Sequence, residues 1–157
     1  MKLTDVTNEK LVMINTEFNS KEECIDALCE RLAQAGKIKN IDDFKQAVRE
    51  REDLCSTYCT MEIAIPHGIT STVLSSSLCF LKNKQCFDWD GDGETPVRYL
   101  FLIAVSGDNH TGENNEHMAI LSKIATLTIE DDFRAALADL KSADEFINLL
   151  NRIEKEN

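Results

Sequence analysis

The segment Val97-Arg98-Tyr99-Leu100-Phe101-Leu102-Ile103-Ala104-Val105 is the most apolar in the chain, and it constrains the fold more than any other stretch. A strand with one wet face alternates polar and apolar residues, so a nearly continuous run of β-branched, aromatic and aliphatic residues belongs to a strand buried on both faces. The segment is therefore expected to be a central strand, and the rest of the chain must supply what covers it.

Helical periodicity supplies that cover. Ser20 followed by Glu23 is a capping box, and Cys24, Ala27, Leu28, Leu32 and Ala35 keep to one face until Gly36 ends the helix. A second helix starts around Ile41 and Asp42, with Phe44, Ala47 and Val48 inward and Arg49, Arg51 and Glu52 toward its end. After a polar loop from Ser106 to Glu113, Asn114-Asn115-Glu116-His117 opens a third, with Met118, Leu121, Ile124, Ala125 and Leu127 as its apolar positions. Phe133, Ala136, Leu137 and Leu140 mark a fourth. The capping box Ser142 to Glu145 starts a fifth, with Phe146, Leu149, Leu150 and Ile153 on one face. Further strands are expected at residues 11–14, 62–65 and 77–81, and Phe87 and Trp89 alternate with polar neighbours ahead of the turn Asp90-Gly91-Asp92-Gly93. Strands mixed with helices over 157 residues, with no repeat or linker, point to a single-domain α/β sandwich spanning residues 1–157.

Charge narrows the partners. A net charge of -11, from 28 acidic and 17 basic residues, leaves no basic cluster to displace counterions from nucleic acid, so no nucleic-acid partner is expected. It suits a basic protein partner, whose encounter it would steer. No apolar run approaches the ~20 residues of a membrane helix, and Met1-Lys2-Leu3-Thr4-Asp5 lacks the regions of a secretory signal, so the expectation is a cytoplasmic protein without direct membrane insertion. The six cysteines form no Cys-x-x-Cys pair and no zinc spacing; Cys24 and Cys79 read as core residues, Cys55 and Cys59 as exposed.

The three histidines, at 67, 110 and 117, are the remaining candidates for chemistry. His67 lies in Ile63-Ala64-Ile65-Pro66-His67-Gly68, where proline pre-sets the exit of a strand and glycine leaves room for a large group to approach the imidazole. His117 falls in the first turn of a helix, where free N–H groups and the dipole favour an anion. Two imidazoles with Arg51 in reach suit a phosphoryl group better than a divalent metal, which would need further ligands at recognisable spacing. Taken singly, each has a plainer reading: a strand-end histidine is more often structural, a first-turn histidine solvated, His110 a surface residue, and Arg51 a partner of the helix dipole. No nucleophile elbow and no Walker loop is present.

Three stretches taken together change the balance. Arg51-Glu52-Asp53-Leu54-Cys55-Ser56-Thr57-Tyr58, Ile63-Ala64-Ile65-Pro66-His67-Gly68 and Asn114-Asn115-Glu116-His117-Met118 resemble the IIA component of the fructose/mannitol class of the bacterial phosphoenolpyruvate-dependent sugar phosphotransferase system, the EIIA type-2 domain. The resemblance runs from the strand near residue 11 to the last helix. Asn114 to His117 and Thr57-Tyr58 look closest to the mannitol type, while Phe87-Asp88-Trp89 and Pro96-Val97 resemble the fructose type. It implies a mixed parallel/antiparallel sheet of about five strands flanked by helices.

It also implies a phosphoryl relay, in which the motif histidine accepts a phosphoryl group from the phosphocarrier protein HPr and passes it to a IIB component working with a membrane IIC. By that correspondence His67 is the phosphorylated nucleophile. His117 would hydrogen-bond the phosphoryl oxygens or the reacting imidazole, and Arg51 would offset phosphoryl charge. No cofactor and no metal are expected for that step. The alternatives are a nitrogen-type regulatory IIA module that works by phosphorylation-dependent binding, and a metal-binding or structural use of His67 and His117. One departure from the family stands out: many members have glycines ahead of Ile-Ala, whereas Tyr58, Cys59, Thr60, Met61 and Glu62 include none, and Glu62 is expected to bring a negative charge close to the phosphoryl site.

Overall fold

The apolar segment is the centre of the sheet. In the computed structural model, which describes residues 1–107 and 116–156, it forms strand β6, Pro96–Ser106. The others are β1 (Val12–Thr16), β2 (Tyr58–Thr60), β3 (Ile63–Ala64), β4 (His67–Thr70) and β5 (Ser77–Asp88). The sheet has six strands in the order β1-β5-β6-β3-β2, with β4 also paired to β6. Pairing of β5 with β6 is antiparallel, and that of β1 with β5 and of β3 and β4 with β6 is parallel, so the sheet is mixed as expected.

Alternation along β6 sends side chains to two cores. Tyr99, Phe101, Ile103 and Val105 enter one, and Leu100, Leu102 and Ala104 the other. Helices α1 (Lys21–Gln34) and α2 (Ile41–Leu54) cover the second face through Cys24, Leu28, Leu32, Phe44 and Val48. Helices α3 (Glu116–Ile129), α4 (Asp131–Asp139) and α5 (Ala143–Glu156) cover the first through Ile120, Ile124, Phe133, Leu137, Phe146 and Leu150. Cys24 and Cys79 are buried and Cys55 and Cys59 exposed, as read from the pattern. Among the described residues no helix is long and apolar enough to cross a membrane.

Local chemistry explains the helix ends. The Ser20 hydroxyl accepts from the Glu23 N–H at 3.2 Å. Past the other end of α1, Gly36 takes φ +72°, which lets Gly36 N–H reach the Ala33 carbonyl and Lys37 N–H the Leu32 carbonyl, the pair of bonds that closes a helix through a left-handed residue. Residues 108–115, with His110 and the expected opening Asn114-Asn115, lie outside the described part.

The missing glycines before the motif have a visible consequence. Thr60, Met61 and Glu62 all take positive φ, at 136°, 53° and 65°, in the reversal between β2 and β3. Only glycine adopts such angles without steric cost, so strain is stored here. Thr60 is exposed and β-branched. Thr60→Gly is therefore expected to stabilise the fold by about 1 kcal/mol, the relief of strain exceeding the added entropy of the unfolded chain. Urea denaturation of the two proteins measures the difference.

Candidate functional site

Pro66 falls between two strands, β3 and β4, where the sequence suggests one strand that ends at residue 65. It has no N–H to donate, so the ladder breaks at Ile65-Pro66, yet the Pro66 carbonyl accepts from Ile103 N–H at 3.0 Å and the chain resumes pairing at once. His67 is thus not the exit of a strand but the first residue of β4, opposite Ile103 on β6. It is 8% exposed.

The next residue corrects another expectation. Gly68 does not serve to admit a group to the imidazole, because its missing side chain faces α2: a Cβ there would lie 3.0 Å from Val48 Cγ2 and 3.1 Å from Phe44 Cε1. Glycine here lets α2 pack directly on β4, which brings Arg51 to the site. Gly68→Ala should push the helix outward and cost about 1–3 kcal/mol, the usual effect of overpacking. Thermal unfolding would read the loss.

His67 is held in one orientation. Its Nδ1 lies 3.1 Å from the Ile65 carbonyl oxygen. A carbonyl can only accept, so the neutral ring carries its proton on Nδ1 and leaves a lone pair on Nε2.

His117 reaches the same place from the other layer. With Ile120, Ile124 and Leu127 it follows the 3-4-3 spacing of one helical stripe, and those three are buried. The apolar face of α3 agrees with expectation at Leu121, Ile124 and Leu127 and departs from it at the start: Met118, expected inward, is 53% exposed, and His117 takes the inward position. The ring centroids of His67 and His117 are 4.7 Å apart, tilted by 39°. His117 Nε2 is buried with no hydrogen-bond partner among the described residues.

Both imidazoles are pushed toward the neutral form. Burial lowers the His67 pKa below 6.5, against the Ile65 hydrogen bond, and the Arg51 charge lowers it further. His117 is lowered by burial, then by His67 and Arg51. Arg51 is fixed at the end of α2, where its guanidinium donates to the Cys55 carbonyl at 2.7 Å. So the three residues singled out in the sequence do act on one another, two by ring contact and one through its field.

One residue escaped the sequence reading. Glu52 is 7% exposed; its carboxylate accepts from Lys21 Nζ at 3.1 Å, from Thr57 N–H at 3.3 Å and from the Thr57 hydroxyl. The signal was available, since Phe44, Val48 and Glu52 recur every four residues and a carboxylate on a buried stripe must find partners. Glu62, by contrast, is not at the site. Its backbone carbonyl accepts from Arg98 and Tyr99 N–H, and its carboxylate accepts from the Cys86 thiol at 2.6 Å. Tyr99 lies four residues along β6 from the partner of His67, roughly 13 Å at strand rise.

A buried neutral imidazole with one bare nitrogen, a second with an unmatched nitrogen, and a nearby guanidinium can receive an electrophilic group that carries negative charge. Among the described residues no group of three or more His, Cys, Asp or Glu could hold a metal ion.

Comparison with known proteins agrees with this chemistry. A family model described as "Phosphoenolpyruvate-dependent sugar phosphotransferase system, EIIA 2" matches residues 5–153. The chain is 31% identical over 155 residues to the fructose-specific EIIABC component of Bacillus subtilis, covering 99% of this chain and 24% of that protein. It spans about a quarter of such EIIABC relatives. The mannitol-specific phosphotransferase enzyme IIA component of Staphylococcus aureus is 30% identical over 146 residues, 91% of this chain and 93% of that one. Among solved structures, nitrogen regulatory protein IIA-Ntr from Neisseria meningitidis superposes with a TM-score of 0.81 at 23% identity, covering 94% of this chain and 97% of that one; at that identity the likeness is of fold.

Proposed function

We propose that this chain, which belongs to the EIIA 2 family of the phosphoenolpyruvate-dependent sugar phosphotransferase system, is a cytoplasmic phosphoryl carrier that takes its group from phospho-HPr and gives it to a IIB component. The working unit is one domain, residues 1–157. The sugar, of the fructose or mannitol class, crosses the membrane through the IIC partner and never meets this chain.

The observation that carries the reading is His67 itself, buried beside His117 with Nδ1 held by a carbonyl and Nε2 bare. The Nε2 lone pair attacks the phosphorus of the HPr phosphohistidine. A new N–P bond forms as the old one breaks, and its electron pair stays on the donor imidazole. In such a loose, in-line displacement the protein contributes position and charge. His117, with its proton on Nε2, donates to a phosphoryl oxygen and thereby fills a hydrogen bond that no described residue makes. Arg51 offsets the phosphoryl charge. The lowered pKa of His67 keeps the nucleophile unprotonated at neutral pH.

A nitrogen-type regulatory role has less behind it, since that likeness reaches the fold alone while the relatives at 30% and 31% are sugar-system components. The test is a chase. The phosphorylated chain, mixed with mannitol-type or fructose-type IIB, should discharge to one of them within a catalytic cycle. Stable retention of the group with both would contradict a transport role.

A further inference from the structure

Outside the three residues already placed, a hydrogen-bonded chain leads to the reacting ring from a buried carboxylate. Glu52, on the inward stripe of α2, accepts from the hydroxyl and the N–H of Thr57. The Thr57 carbonyl in turn accepts from Ile65 N–H at 3.0 Å, and the Ile65 carbonyl accepts from His67 Nδ1–H at 3.1 Å. Every member of the chain is buried: Glu52 is 7% exposed, Thr57 7%, Ile65 4% and His67 8%. At its far end Lys21 clasps Glu52 at 3.1 Å and Asp90 at 2.9 Å.

We propose that Glu52 is a positioning residue for His67: acting through Thr57 and the Ile65 carbonyl, it holds the imidazole beside His117 with its proton on Nδ1 and its Nε2 unprotonated. The logic is geometric. The segment from Ile65 to His67 spans the break in the ladder at Pro66, so the usual strand pairing does not fix the Ile65 peptide on β6. Its N–H is held instead by Thr57, and Thr57 is held by Glu52. A histidine side chain free in water prefers the opposite tautomer, with the proton on Nε2, which leaves Nε2 without a lone pair to attack with. The Ile65 carbonyl must therefore be kept in place for the ring to stay reactive, and an accurate placement of this kind can govern rate by large factors. This role is distinct from that of the adjacent Arg51, whose charge acts on both rings directly. The charges acting on His67 are Arg51 and Glu52, with the ring of His117 against it, and of the two charges Glu52 is the one that favours its protonated form.

The proposal rests on His67 being the nucleophile, but its readout does not. Nitrogen-15 NMR of the imidazoles reports tautomer and titration without any transfer. The whole protein should show His67 mainly as the Nδ1–H form. Thr57→Val, which removes the hydroxyl but keeps the Glu52 charge, should move His67 toward the Nε2–H form and slow phosphoryl acceptance about tenfold. Thr57→Ser should restore both. Glu52→Gln, which keeps an acceptor but removes the charge, should lower the His67 titration midpoint. A folded Thr57→Val protein with the parent tautomer and rate overturns the proposal, and the Thr57 pair decides even if Glu52→Gln does not fold. A parent protein whose His67 is mainly Nε2–H would overturn both the proposal and the reading of Nε2 as the reacting atom.

Discussion

His67→Ala is expected to accept no phosphoryl group from phospho-HPr, with the rate falling by at least about 10⁴-fold, as for loss of a nucleophile in other covalent mechanisms. The fold should survive. The imidazole, on β4, lies against the ring of His117 on α3, and its Nδ1 contact is with a local carbonyl, so no interaction between distant elements other than that ring contact depends on it. Loss of the ring frees the Ile65 carbonyl and leaves His117 with a gap in place of a neighbour 4.7 Å away. Circular dichroism and size exclusion should therefore match the parent, while acid-labile label from phosphoenolpyruvate, enzyme I and HPr disappears. Undiminished labelling of the variant would mean that another residue carries the group.

Arg51→Ala should slow transfer by about 10²–10³-fold, the usual loss when one preorganised group that stabilises developing charge is removed. The same substitution has a second signature with a definite sign. The Arg51 charge lowers the pKa of both His67 and His117. Without it both midpoints rise, so the unprotonated nucleophile is lost at a higher pH and the acid limb of the rate profile moves up. A residue that merely held the end of α2 would lower stability without that movement. Rate against pH for parent and variant separates the two.

Much of this was legible in the sequence, and for identifiable reasons. The central strand was readable because an apolar run without alternation has few other uses, and both cores form on it as that pattern requires. Helices α1 and α5 were readable from caps, since serine and glutamate three residues apart serve little else; Ser142 and Glu145 meet as anticipated. The α3 face was misread because its apolar residues are too many to define one stripe. Ile124 and Leu127 are inward as expected, but only packing shows that Ile120 and His117 join them and that Met118 and Ala125 do not. Gly68 was misread because a glycine beside a histidine suggests access, whereas the space it leaves is filled by Phe44 and Val48 from a helix distant in sequence. Glu62 was flagged for its charge. Its significance lies in its backbone, the third of three consecutive residues at positive φ.

The candidate site divides in the same way. His67, Arg51 and His117 could be singled out because each is a rare residue type in a specific motif. Their mutual geometry, and the Glu52 chain behind them, depend on tertiary contacts that no local pattern encodes.

The central claim is that one nitrogen of one residue carries the group. Phosphorylating the nitrogen-15-labelled protein with phosphoenolpyruvate, enzyme I and HPr under alkaline conditions, and reading phosphorus–nitrogen couplings by NMR, tests it most directly. The account predicts a single coupled nitrogen, Nε2 of His67. Coupling to His117, to Nδ1 of His67 or to no histidine would contradict it.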